Sequence, residues 1–196
     1  QLAQPGTYQE LGFEERLSLL TAEELTCREN RKAERLIKHA RFRLNAELSK
    51  LDYRNNRGLD RALIRSLSQG NWLTLKQNIL LTGATGSGKT FLACALGHNA
   101  CRQGYKVYYR LKALMEQCYQ GHADGRYSKL LTRLNNSDLL LLDDWGLEPL
   151  SSEQRSDLLE IVDLMYQRGS IIVVSQLPVE NWYKMIGDST HADAIL

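Results

Sequence analysis

The 196-residue sequence contains no apolar run approaching the roughly 20 residues that a membrane-spanning helix needs, and no charged-then-apolar leader opens it. No membrane is expected among its partners, and a cytoplasmic location is the default. Gln1 stands where an initiator Met would, which leaves room for an upstream start. Cys27, Cys94, Cys101 and Cys118 form no C-x-x-C pair and have no histidines at zinc-site spacing, so neither a zinc site nor a disulfide framework is indicated. They read as reduced thiols, mostly buried. His39, His98, His122 and His191 are scattered, and no Ser/His/Asp or Cys/His constellation is visible. Internal repeats and low-complexity segments are also missing.

What is present is a core-forming composition, 43% apolar, enough for one domain with an appendage. The net charge of +2 conceals a division, because residues 28–65 hold 12 basic against 5 acidic side chains. Such a block marks a nucleic-acid partner or a merely solvated helix face, and composition alone does not choose between them.

The first 12 residues lack periodicity. Phe13 to Leu20 then reads as a short amphipathic helix, and Thr21-Ala22-Glu23-Glu24 as a capping box opening a longer one to about Leu48. Leu25, Ala33, Leu36, Ile37, Ala40, Leu44 and Leu48 share one face of it, with Arg28, Arg31, Lys32, Arg35, Lys38 and His39 opposite. A break at residues 52–58 precedes a third helix from Leu59 to Leu67, which aligns Arg57, Arg61 and Arg65. Residues 1–70 thus form an N-terminal helical module, and residues 71–196 a nucleotide domain. Trp72, at the junction, is either a core tryptophan or a residue packing near an adenine.

In the second part short apolar strands alternate with helices, the pattern of a parallel α/β sheet covered on both faces. The strands are Asn78 to Thr82, Lys106 to Tyr109, Asp138 to Asp144 and Ile171 to Ser175. The helices are Phe91 to Arg102, Leu111 to Gln120, Tyr127 to Leu134 and Ser151 to Arg168, with residues 121–125 a loop by composition.

Directly after the first strand stands Gly83-Ala84-Thr85-Gly86-Ser87-Gly88-Lys89-Thr90, which fits G-x-x-x-x-G-K-[ST]. Its glycines let backbone N–H groups curl around an anion, and the following helix adds its positive end. ATP is the ligand expected, held by these residues and Phe91, with Lys89 on the β and γ phosphates and Thr90 on Mg²⁺. The apolar third strand ends in Asp143-Asp144, a carboxylate on a neighbouring strand where sheet ligands gather. Asp143 reads as the second Mg²⁺ holder, and Asp144 either as the group that orients the attacking water or as a helix cap. Gln176, after the fourth strand, is either a γ-phosphate sensor or a surface amide.

Taken with Asp52-Tyr53-Arg54, Arg57-Gly58-Leu59-Asp60-Arg61, Leu142-Asp143-Asp144-Trp145-Gly146-Leu147, Ser175-Gln176-Leu177-Pro178-Val179-Glu180 and Ile186-Gly187-Asp188, this loop resembles the IstB family, the helper ATPases of IS21-type transposons. The resemblance covers nearly the whole chain. It implies an AAA+ Mg²⁺-dependent ATPase, similar also to the DnaC helicase loader, that self-assembles with ATP, binds duplex DNA and recruits an IstA-type transposase. It makes Gln176 the sensor. In the family the chain continues past Leu196 into an arginine that reaches the neighbouring subunit's nucleotide and then into a helical lid; this sequence ends before both. Many AAA+ proteins carry Glu where Asp144 stands.

Similarity to replication initiators implies that the insert between the second and third strands meets DNA, through Lys112, Arg126, Tyr127, Lys129 and Arg133. The competing set is the module's Arg28, Arg31, Lys32, Arg35, Lys38, Arg57, Arg61 and Arg65. A helicase loader is the leading alternative. A small-molecule kinase would need an acceptor pocket and has no use for a basic helical module, and a scaffold that binds ATP but scarcely hydrolyses it differs only in rate.

Overall fold

A computed structural model describes residues 11–53, 59–109 and 112–195, with the Lys112 side chain also outside the description. The first helix, α1 (Phe13–Ala40), is continuous for 28 residues, so the break expected at Thr21 does not occur. Its hydroxyl donates one turn back to the carbonyls of Leu17 and Ser18 at 3.0 and 2.9 Å, which keeps Thr21 in the helix interior instead of capping a new one. The capping role falls to Glu15, whose Oε2 accepts from the N–H of Gly12 at 3.0 Å. The helix also stops earlier than Leu48, because Arg41 turns into the left-handed region at φ 54°.

Residues 41–47 then run as a strap to a short 3₁₀ turn, Leu48–Lys50. Helix α2 (Arg61–Ser68) begins at Asp60, whose Oδ1 accepts from the N–H of Ala62 at 2.8 Å. Arg57, expected to align with Arg61 and Arg65, lies outside the described residues, as do Arg54 and Gly58. A single further turn, α3 (Asn71–Thr74), buries Trp72. The indole N–H of Trp72 donates to the Leu67 carbonyl at 2.9 Å, which settles it as a core residue.

Strands β1 (Ile79–Thr82), β2 (Val107–Tyr109), β3 (Leu139–Trp145) and β4 (Ser170–Ser175) form one parallel sheet in the order β1-β4-β3-β2. The strand that carries the two acids is therefore not the neighbour of the strand that leads into the glycine-rich loop; β4 lies between them. Successive side chains alternate across the sheet, so both faces need cover. One face, with Leu139, Leu141, Ile172 and Val174, packs against α4 (Lys89–Arg102) together with Ala40, Ala46, Ile64 and Trp72 from the preceding segments. The other, with Leu140, Leu142 and Ile171, packs against α5 (Lys112–Asp124), α6 (Tyr127–Asn135), α7 (Ser152–Met165) and α8 (Trp182–Ile186). A last helix, α9 (Ser189–Ile195), closes the described chain.

One glycine-containing segment behaves differently from its composition. Residues 121–124, expected as loop, continue α5, and the turn is confined to Gly125 at φ 74° and Arg126. A Cβ on Gly121 would sit 3.0 Å from both the Cα and the N of Tyr127, so this glycine allows α5 and α6 to approach rather than ending a helix. At the other end of that face, α7 starts as expected from a reciprocal cap. Ser151 Oγ accepts from the Gln154 N–H at 3.2 Å, and Gln154 Oε1 accepts from the Ser151 N–H at 2.9 Å. It ends at Met165 rather than Arg168.

Candidate nucleotide-binding site

The C-terminal edge of the sheet gathers the chemistry. From Thr82 the chain turns through Gly83, Gly86 and Gly88 at φ 147°, 79° and 92° before α4 begins at Lys89. A Cβ on Gly86 would meet nothing within 4 Å, so backbone conformation and not crowding requires glycine there. The Lys89 ammonium lies over the loop, donating to the carbonyls of Gly83 and Ala84 at 2.7 and 2.8 Å, with Ser87 Oγ at 3.4 Å. Phe91 is partly buried and packs against the core cluster on the α4 side of the sheet.

Across the site, β3 loses its register between Leu142 and Trp145, and Asp144 takes the left-handed φ of 64°. That irregularity separates the two acids. Asp143 is buried and receives three bonds: from Thr90 Oγ1 at 3.1 Å and the Asp144 N–H at 3.0 Å on Oδ1, and from the Tyr109 hydroxyl at 2.8 Å on Oδ2. Asp144 faces outward and accepts from Arg43 Nη1 at 3.2 Å. Since β4 separates β1 from β3, Gln176 emerges between the loop and the acids, and its Oε1 accepts from Thr85 Oγ1 at 2.6 Å.

The sequence placed Lys89, Thr90, Asp143, Asp144 and Gln176 at one edge, and they meet there. It did not single out Tyr109 or Arg43. A tyrosine ending the strand beside β3 was visible in the order of elements, whereas nothing local marks Arg43. Burial, reinforced by the Asp143 carboxylate, pushes the Tyr109 hydroxyl well above its ordinary pKa, so it stays a donor at neutral pH. Burial likewise raises the Cys94 thiol and carries Cys101 and Cys118 to about 12; all four cysteines are free, and Cys27 alone is partly accessible. Burial lowers the pKa of His98, a neutral imidazole whose Nδ1 lies 2.9 Å from the Cys94 carbonyl.

The donor set fits a hard divalent cation. A hydroxyl and a carboxylate oxygen 3.1 Å apart beside the phosphate loop supply oxygen ligands of the kind Mg²⁺ takes alongside phosphate and water. Among the described residues no cluster of three or more His, Cys, Asp or Glu side chains offers a site of another type. A cleft of about 1100 Å³ opens from Asp144 away from the glycine-rich loop, between α5 and α7; beyond the two acids of β3 it is lined by Glu116, Glu148, Glu153 and Asp157 and by no Lys or Arg, so it offers no further cation to a phosphate.

The model of the family of IstB-like ATP binding proteins matches residues 1–196. The chain belongs to that family. An insertion-sequence ATP-binding protein of Sinorhizobium fredii is 44% identical over 197 residues, all of this chain and 80% of the relative. Among solved structures, the DnaC helicase loader superposes with a TM-score of 0.64 at 26% identity, covering 77% of this chain and 92% of that one. DnaA of Aquifex aeolicus, solved with bound AMPPCP, reaches 0.61 at 20% identity over 75% of this chain and 49% of its own. The fold is thus that of the AAA+ P-loop proteins, and this family member is an ATP-binding protein of IS21-type insertion sequences.

Arg57 and the Lys112 side chain lie outside the description; the other members of the two basic sets sit on helices that pack on opposite faces of the sheet, α1 and α2 with α4, α5 and α6 with α7. Arg31, Arg35, Lys129 and Arg133 are exposed. Arg61 stacks over the Tyr53 ring at 4.9 Å, and Arg126 pairs with Asp124 at 3.3 Å. Tyr127 is half-buried, stacked on His122 at 4.0 Å with its hydroxyl donated to Glu160 at 2.8 Å, a packed residue and not a free aromatic. No helix among the described residues is long and apolar enough to cross a membrane.

Proposed function

We propose that the chain is a Mg²⁺-dependent ATPase that assembles with ATP, engages duplex DNA and recruits an IstA-type transposase to it. The observation that carries this reading is the bond from Thr90 to Asp143, which joins the phosphate loop to the acidic end of β3, with Gln176 fastened to Thr85 beside it. Lys89 exchanges its two loop carbonyls for phosphate oxygens, so its charge meets the anion. Bound Mg²⁺, held by Thr90 and Asp143, would neutralise charge on the phosphate oxygens. Asp144 orients the attacking water as general base. Gln176 has its carbonyl committed to Thr85, so what it offers a γ-phosphate is its amide N–H₂.

Lys89→Ala should abolish nucleotide binding and turnover, whereas Asp144→Asn should keep binding within a few-fold and lower kcat by about 10²-fold or more. Nucleotide affinity and steady-state hydrolysis on both variants test this, and normal turnover in the lysine variant would end the assignment. The likeness to DnaC favours a second reading, a replicative helicase loader. Co-purification decides between them: stable capture of the transposase supports the first, capture of a hexameric helicase the second.

A further inference from the structure

We propose that Arg43 is a positioning residue of the hydrolysis centre, supplied by the strap after α1, which fixes the Asp144 carboxylate for its work on water. The inference rests on the ATPase reading above and adds a residue to it. The contact joins positions 101 apart in the chain, with Nη1 of Arg43 at 3.2 Å from Oδ2 of Asp144. Asp144 is poorly held by its own strand. It sits at the register shift, in a left-handed conformation two residues before Gly146 at φ 83°, and among the described residues Arg43 is the partner of its carboxylate.

An exposed ion pair between two freely rotating side chains contributes about 0–1 kcal/mol and fixes little. Arg43 is different because its backbone is anchored on both sides. The ring of Phe42 lies 4.3 Å from that of His98 and 5.8 Å from that of Tyr109, and it occupies the space over Gly97, where a Cβ would come within 2.5 Å of it. Three residues on, Ala46 is completely buried. The strap is thereby pinned to α4 and to the end of β2, and the guanidinium is delivered to the same corner where Tyr109 binds Asp143. The two side chains are 61% and 46% exposed, so what the packing meets is the backbone part of the cost of ordering Arg43, and that anchored backbone is what sets the pair apart from one between two loose segments.

The test is steady-state ATP hydrolysis by the full chain with duplex DNA. Arg43→Ala should lower kcat about tenfold and leave KM for ATP within twofold, and Arg43→Lys should recover part of the loss. In an Asp144→Asn background, Arg43→Ala should change nothing further, since a residue that works through the carboxylate has no work once it is gone. Equal losses in both backgrounds, an unchanged kcat, or a loss confined to KM would overturn the proposal. If Asp144→Asn itself turns over like the parent, the base assignment fails first; if it is slow while Arg43→Ala is normal, only the positioning role fails. Thermal melts of each variant with and without ATP separate a kcat effect from loss of fold.

Discussion

Asp143 shows how far single residues were legible. The spacing of the glycine loop and the run of leucines before two acids singled out Lys89, Thr90 and Asp143, because phosphate-loop chemistry demands those residue types at those places in the chain, and the fold brings Thr90 and Asp143 into contact. Tyr109, 34 positions before Asp143, and Arg43, 101 before Asp144, contribute through contacts that only the sheet order and the strap create. His98 belongs to this scale. Burial holds its imidazole neutral, so the unfolded chain, with a pKa near the ordinary 6.5, takes up the proton first as the solution is acidified. Stability should be complete above that value and fall as pH drops through it towards the lowered folded pKa. Urea midpoints at pH 7.5 and 5.5 for the parent and for His98→Gln check the sign: the parent should lose more on acidification, and parallel losses would locate the acid sensitivity elsewhere.

Among elements, the four strands and the start of α7 followed from periodicity and a cap, while two of the errors fell where one residue type serves two purposes. Thr21 looked like a cap and is a helix-interior threonine bonded back to Leu17 and Ser18. Gly121 looked like a loop residue and is a packing glycine, a distinction that depends on Tyr127 arriving from the next helix. Gly121→Ala should therefore cost about 1–3 kcal/mol, the range for overpacking against rigid backbone, although alanine is the better helix former. Chemical denaturation reads this directly. An unchanged or raised midpoint would show that α5 and α6 separate without penalty.

At the scale of the whole molecule, the exposed Arg31 and Arg35 of α1 and the exposed Lys129 and Arg133 of α6 lie on helices that pack on opposite faces of the sheet, and under the proposed function the two pairs compete as the DNA contact. We expect the insert to be the main contact, chiefly to phosphates, so that each lost contact lowers the salt slope of log affinity by about 0.9. A salt titration should show Lys129→Ala with Arg133→Ala flattening the slope by roughly two such steps, and Arg31→Ala with Arg35→Ala leaving it nearly intact. The reverse pattern would place the duplex along α1. In that helix only Ala33 and Ala40 are buried, and Phe13 at its far end is 79% exposed. From Ala33 outward the arm runs roughly 30 Å, so a bend of about 10° where it leaves the core sweeps the tip through roughly 5 Å. From Ala33 to Ala40 the packed end runs only about 10 Å, so for a stiff helix pivoting at Ala33 a force applied at Phe13 reaches the end from which the strap departs magnified about threefold, over a third of the distance.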